Sequence, residues 1–67
     1  MNNHNTDDIK NMITILIPTL NEELTVAEVI TLCRKYADDI LVVDGHSRDK
    51  TAAVVRSFGV RLIFDHK

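Results

Sequence analysis

Acids, hydroxyls and one histidine gather in two short segments of this 67-residue chain, Pro18-Thr19-Leu20-Asn21-Glu22-Glu23 and Asp44-Gly45-His46-Ser47-Arg48-Asp49. Each follows an apolar, β-branched run. If those runs are parallel neighbours, both segments lie at one carboxyl edge of a sheet, where open α/β sheets bind ligands. Glu22 and Asp44 offer acceptors for hydroxyl or ring N–H groups. The loop amides and the helix starts that follow offer donors. That combination suits a nucleoside or a sugar. It does not suit a phosphate gripped by a glycine-rich loop: the chain has no Gly-x-Gly-x-x-Gly and no Gly-Lys-Ser/Thr, and the first segment has no glycine. A dinucleotide-dependent dehydrogenase is disfavoured on that ground.

Each of these residues also has a purely structural reading. Pro18 can simply end a strand, and Asn21 can cap a helix. Glu22 and Glu23 fit as first-turn acids favoured by the helix dipole. Asp44 can serve a turn, His46 reads as an exposed loop residue, and Ser47 and Asp49 are capping candidates. Arg48 and Lys50 read as solvated.

The elements that would position these segments follow from patterning. Residues 12–17 form a continuous apolar run that suits a strand buried on both faces and stopped by Pro18. A helix is expected from residue 22 or 23 to residue 36, with Val26, Ile30, Cys33 and Ala37 as its buried stripe. Residues 39–44 read as a second buried strand. A second helix is expected over residues 50–58, with Thr51, Val54, Val55 and Phe58 inward and Gly59 as its left-handed stop. Residues 60–64 read as an edge strand. The order β-α-β-α-β implies parallel pairing with right-handed crossovers, a strand order of 3-2-1 and both helices on one face. The fold class is α/β, half of a Rossmann-like domain.

This pattern leaves a surplus. The first two strands are apolar on both faces, yet the chain supplies helices for only one. A bare apolar face is expected, and such patches are rare on soluble monomers. The chain therefore reads as written for a larger domain, the remainder being absent or supplied by another chain.

Composition narrows the function. Net charge is -2, there is no block of basic residues, and the aromatics are two Phe and one Tyr. Nucleic acid is disfavoured as a partner. Cys33 is the single cysteine and reads as a small apolar helix residue. Residues 1–11 read as a polar, disordered tail in which His4 is solvated. Neither a signal peptide nor a membrane span is evident, and a cytoplasmic location is expected.

Ile15-Leu16-Ile17-Pro18-Thr19-Leu20-Asn21-Glu22-Glu23 resembles the opening motif of family 2 glycosyltransferases. Ile40 through Thr51 resembles their second-strand motif, and Ser57-Phe58-Gly59-Val60-Arg61 their third-strand entry. The resemblance covers residues 12–67 and leans towards the dolichyl- or polyprenyl-phosphate sugar transferases. It implies a GT-A fold and a nucleoside diphosphate sugar as donor. It places Pro18, Thr19 and Leu20 beside base and ribose, Glu22 on ribose or base, and Asp44 with Gly45 at the base side. Many members carry a second acid where this chain has Gly45. The family's Asp-x-Asp motif, which holds Mg2+ or Mn2+ and the diphosphate, and its catalytic base lie later than these segments. Asp65-His66-Lys67 is not that motif; Lys67 falls near a basic turn of relatives. The resemblance thus implies an N-terminal, nucleotide-recognising half with no catalytic residue and no metal ligand of its own, inactive in transfer alone. The alternative is a non-enzymatic α/β protein or truncated gene product that self-associates through its bare face. A response-regulator-like domain fits less well, since Pro18-Thr19 stand where the first-strand acids should be.

Overall fold

The computed structural model describes residues 6–66; residues 1–5, His4 among them, and Lys67 lie outside the described residues. Six elements follow in order: α1 Thr6–Lys10, β1 Thr14–Thr19, α2 Val26–Cys33, β2 Asp39–Asp44, α3 Thr51–Ser57 and β3 Arg61–Phe64. The three strands form one parallel sheet ordered β1-β2-β3, with β2 in the middle.

β1 runs through Pro18 to Thr19 instead of stopping before the proline. It is an edge strand bonded to β2 alone, and an edge strand tolerates a residue that cannot donate on its open side. In register, Thr19 stands beside Asp44 and Pro18 beside Val43, so both strands end level. β3 joins with Asp44 opposite Phe64.

α2 is shorter at both ends than its pattern predicts. At its start, the chain first turns about Asn21, and Thr25 and Val26 donate back to the Glu22 carbonyl at 3.0 and 2.9 Å. At its end, Lys35 and Tyr36 make the tighter bonds of a closing turn, to the Leu32 and Cys33 carbonyls. α3 ends as expected on Gly59, at φ 70. Part of the segment read as a disordered tail, Thr6–Lys10, is a short helix. The Lys10 carbonyl accepts the Asp38 N–H at 3.1 Å, fixing its end to the start of β2.

Alternation sorts the strand side chains. Ile17, Ile40 and Val42 face the helices and pack with Val26, Ile30, Ala37 and Val55, all nearly excluded from water. Cys33, Val54, Phe58 and Leu62 close the margin of this core, as their spacing predicts. The opposite face carries Leu16, Pro18, Leu41, Val43 and Ile63. Leu16 remains 57% and Ile63 50% exposed, so the expected bare face is present. At its far end Arg61 grips the Asp39 carboxylate with two bonds, at 3.0 and 2.7 Å, and Thr14 adds a third at 2.7 Å. The Arg61 bonds, then that of Thr14, hold the Asp39 carboxyl below its ordinary range. Among the described residues, no helix is long and apolar enough to cross a membrane.

Candidate functional site

The two polar segments emerge side by side from the ends of β1 and β2, and each turns on a residue in the left-handed region: Asn21 at φ 54 and His46 at φ 64. Asparagine visits this region readily; histidine does so at a cost. His46 is held there by its Nε2, 2.8 Å from the Asp65 carbonyl, and by its ring, 5.7 Å from that of Phe64. Asn21 does not cap α2. Its N–H donates to Ser47 Oγ and its Oδ1 accepts the Arg48 N–H, each at 2.8 Å, so it bridges the two turns.

Asp44 anchors the arrangement. Its side chain is excluded from solvent. The Thr19 hydroxyl donates to its Oδ1 at 2.7 Å, the Ser47 hydroxyl to the same oxygen at 2.6 Å, and the Ser47 N–H to Oδ2 at 2.7 Å. Burial pushes the carboxyl pKa up. The bonds from Ser47 and Thr19, with the nearby His46, outweigh that push and hold it below the ordinary carboxylate range. Charge-assisted bonds of this kind are about twice as strong as neutral ones. Ser47 is therefore bound to Asp44 and Asn21 and does not cap α3.

The stitching continues outward. Gly45 N–H donates to the Thr19 carbonyl at 2.8 Å. Glu22 N–H donates to the buried Thr51 hydroxyl at 2.7 Å, and Glu23 N–H to Asp49 Oδ2 at 3.2 Å. Lys50 N–H returns a bond to Glu23 Oε1 at 3.3 Å. Just ahead of α3, whose N-cap position is Lys50, Asp49 also accepts the Thr51 N–H at 2.9 Å and the Thr51 hydroxyl. Its partial burial raises its pKa, and these bonds more than reverse the shift. The amides that a longer α2 would have left unpaired are thus consumed by the second turn, which is why the helix begins late. No buried side-chain polar atom among the described residues lacks a partner.

Above this frame opens a cleft of about 420 Å³, lined by Pro18, Thr19, Leu20, Glu22, Val43, Gly45 and Asp65. That volume lies within the range of small-molecule sites. Of the six residues expected at the site, Pro18, Thr19, Leu20, Glu22 and Gly45 line this cleft, and Asp44 lies beneath, with its carboxylate turned to Thr19 and Ser47. Leu20 is 56% exposed at the rim. Glu22 is exposed, and its Oε2 accepts only a 3.2 Å bond from Thr25. Gly45 forms part of the floor: an added Cβ would stand 3.4 Å from the Thr19 carbonyl and 3.7 Å from Leu20 Cδ1. Val43 and Asp65 were not anticipated. The signal for Asp65 was the sheet order, which brings the end of β3 beside the end of β2; its N–H bonds the Asp44 carbonyl at 2.7 Å.

A divalent cation does not fit these residues. Among the described residues, no three His, Cys, Asp or Glu side chains converge. Asp44 and Asp49 are committed to internal donors.

The profile of Glycosyl transferase family 2 matches residues 14–67, from the first residue of β1 onward. No curated protein and no solved structure matches the chain. The chain belongs to glycosyl transferase family 2.

Proposed function

We propose that this family 2 domain receives the nucleoside half of a nucleoside diphosphate sugar in the cleft above Thr19 and Gly45. The carrying observation is the cleft itself: an apolar wall of Pro18, Leu20 and Val43 next to the exposed Glu22 carboxylate. A flat base needs the first, and ribose hydroxyls or a base N–H need the second. Leu20 and Pro18 flank the base. Glu22 accepts from the nucleoside. Gly45 keeps the floor low. Thr19 and Asp44 act as positioning residues, because their polar atoms are spent on each other and on Ser47. Asp44 is thus reassigned from the base contact that the family motif implies.

The reaction proposed for the whole domain is transfer of the sugar to an acceptor, with polyprenyl phosphate as the acceptor class on the strength of the motif. A phosphate oxygen is already ionised at neutral pH and needs no general base. These 67 residues alone are proposed to bind without turnover, since no three His, Cys, Asp or Glu side chains converge among the described residues to seat a cation.

Amide NMR of the isotope-labelled chain, titrated with uridine diphosphate and guanosine diphosphate and with pyrophosphate as control, tests the binding. Saturable shifts centred on Thr19, Leu20, Glu22 and Gly45 with one nucleotide, and none with pyrophosphate, are expected. Shifts confined elsewhere, or no saturation by either nucleotide, contradict the reading. Sugar transfer by the purified chain would contradict the claim that it does not turn over.

A further inference from the structure

On the side of α2 turned away from the core, Ala27, Glu28, Val29, Thr31, Leu32 and Lys35 form an open, largely apolar surface. None of these residues lines the nucleotide cleft. Leu32 at its centre is 54% exposed, and Tyr36 beyond it 62%. The Thr31 hydroxyl donates to the Ala27 carbonyl at 2.8 Å, so its polar atom is satisfied within the helix and its methyl remains for contact. Glu28 and Lys35 bracket this apolar middle about two helical turns apart. Neither has an ionic partner among the described residues.

The order of these residues is self-complementary. With a second α2 laid antiparallel across the first, the two-fold axis passes between Thr31 and Leu32. Glu28 of each copy then faces Lys35 of the other. Leu32 meets Thr31 and Leu32 of the other copy. Residue i contacting j while j contacts i is the requirement of an isologous interface. We propose that α2 is the contact surface of a weak two-fold homodimer of this chain, with reciprocal Glu28–Lys35 pairs around a Leu32 centre. One outer helix face supplies only about half of the ~800 Å² per partner of a standard interface. A dissociation constant of about 0.1–1 mM is therefore expected.

Sedimentation equilibrium of the full chain from about 10 μM to about 1 mM tests this. E28K and K35E should each weaken association by about fivefold or more, since each replaces attraction by repulsion at both ends. The double variant E28K/K35E should return to within about twofold of the parent, a recovery that only direct pairing gives. L32D should abolish association. All three substituted positions are exposed, and circular dichroism checks that each variant stays folded. A parent chain that stays monomeric at about 1 mM overturns the proposal. So does a double variant no better than the singles. So does association that survives L32D and is lost in L16D, which would move the contact to the bare sheet face.

Discussion

The turn after β1 and the turn after β2 look alike as polar segments, yet the fold uses them in opposite ways. The first presents Pro18, Leu20 and Glu22 outward to the cleft. The second sends Asp44 and Ser47 inward, where their polar atoms bind Thr19, Asn21 and each other. The first turn supplies most of the cleft lining, and the second chiefly the frame that fixes it. The difference arises from β2 being the central strand: a side chain at its end is buried by neighbours on both sides, whereas β1 has an open edge. A carboxylate is retained in such a place only with hydrogen-bond partners.

This asymmetry predicts a ranking of substitutions. D44A should be the most damaging. It leaves the Thr19 hydroxyl and the Ser47 donors facing a void, at a cost of about 3 kcal/mol or more. For a domain this small that is a large share of the total stability, and urea denaturation should show a lost or strongly shifted transition. D44N, which keeps the shape but not the charge, should cost about 2 kcal/mol.

The same carboxylate sets the acid response. Its folded pKa lies below the ordinary value of about 3.9. The stability it contributes is therefore complete above that value and is lost as pH falls through the folded pKa. Urea midpoints measured between about pH 5 and pH 2.5 should decline in the parent, and the decline should be shallower in D44N.

Next in rank are S47A and N21A, each expected to cost about 1–2 kcal/mol. S47A removes a donor to Asp44 and the acceptor of the Asn21 N–H. N21A removes the bond to Arg48 and puts alanine in the left-handed region. N21G, which restores the backbone freedom but not the bond, should recover part of the loss. Equal melting temperatures for N21A and the parent would break the claim that Asn21 joins the turns.

The smallest effect on stability belongs to the cleft floor. Gly45 has ordinary contact room for a Cβ, so G45A should change stability by no more than about 0.5 kcal/mol while reducing nucleotide affinity severalfold. An affinity equal to the parent's would remove Gly45 from the site.

Much of this was legible in the chain. The periodicity of Val26, Ile30, Cys33 and Ala37 identifies the buried side of α2, and Gly59 marks the end of α3. The surplus of apolar strand residues foretells the uncovered face around Leu16 and Ile63. What the pattern misjudged were choices between two partners for one group. Asn21 and Ser47 have the chemistry of helix caps, but the Arg48 N–H of the neighbouring turn took Asn21 and the Asp44 carboxylate of its own turn took Ser47. Pro18 has the chemistry of a strand stop, but the open edge of β1 lets the strand continue. Asp44 has the chemistry of a ligand contact, and burial with three internal donors gives it a structural role that the pattern did not show. The contests over Asn21 and Pro18 are decided by tertiary proximity of residues more than twenty positions apart, which local spacing does not encode, whereas Ser47 and Asp44 meet within one turn.

The division between contact turn and frame turn is tested most directly by E22Q. Glu22 lies on the cleft, and its one side-chain bond is an exposed one from Thr25. The nucleoside diphosphate affinity of E22Q should fall about tenfold relative to the parent while its melting temperature stays within about 2 °C, the removed contact being one charged hydrogen bond. Unchanged affinity, or a loss of melting temperature comparable to that of D44N, would contradict the account.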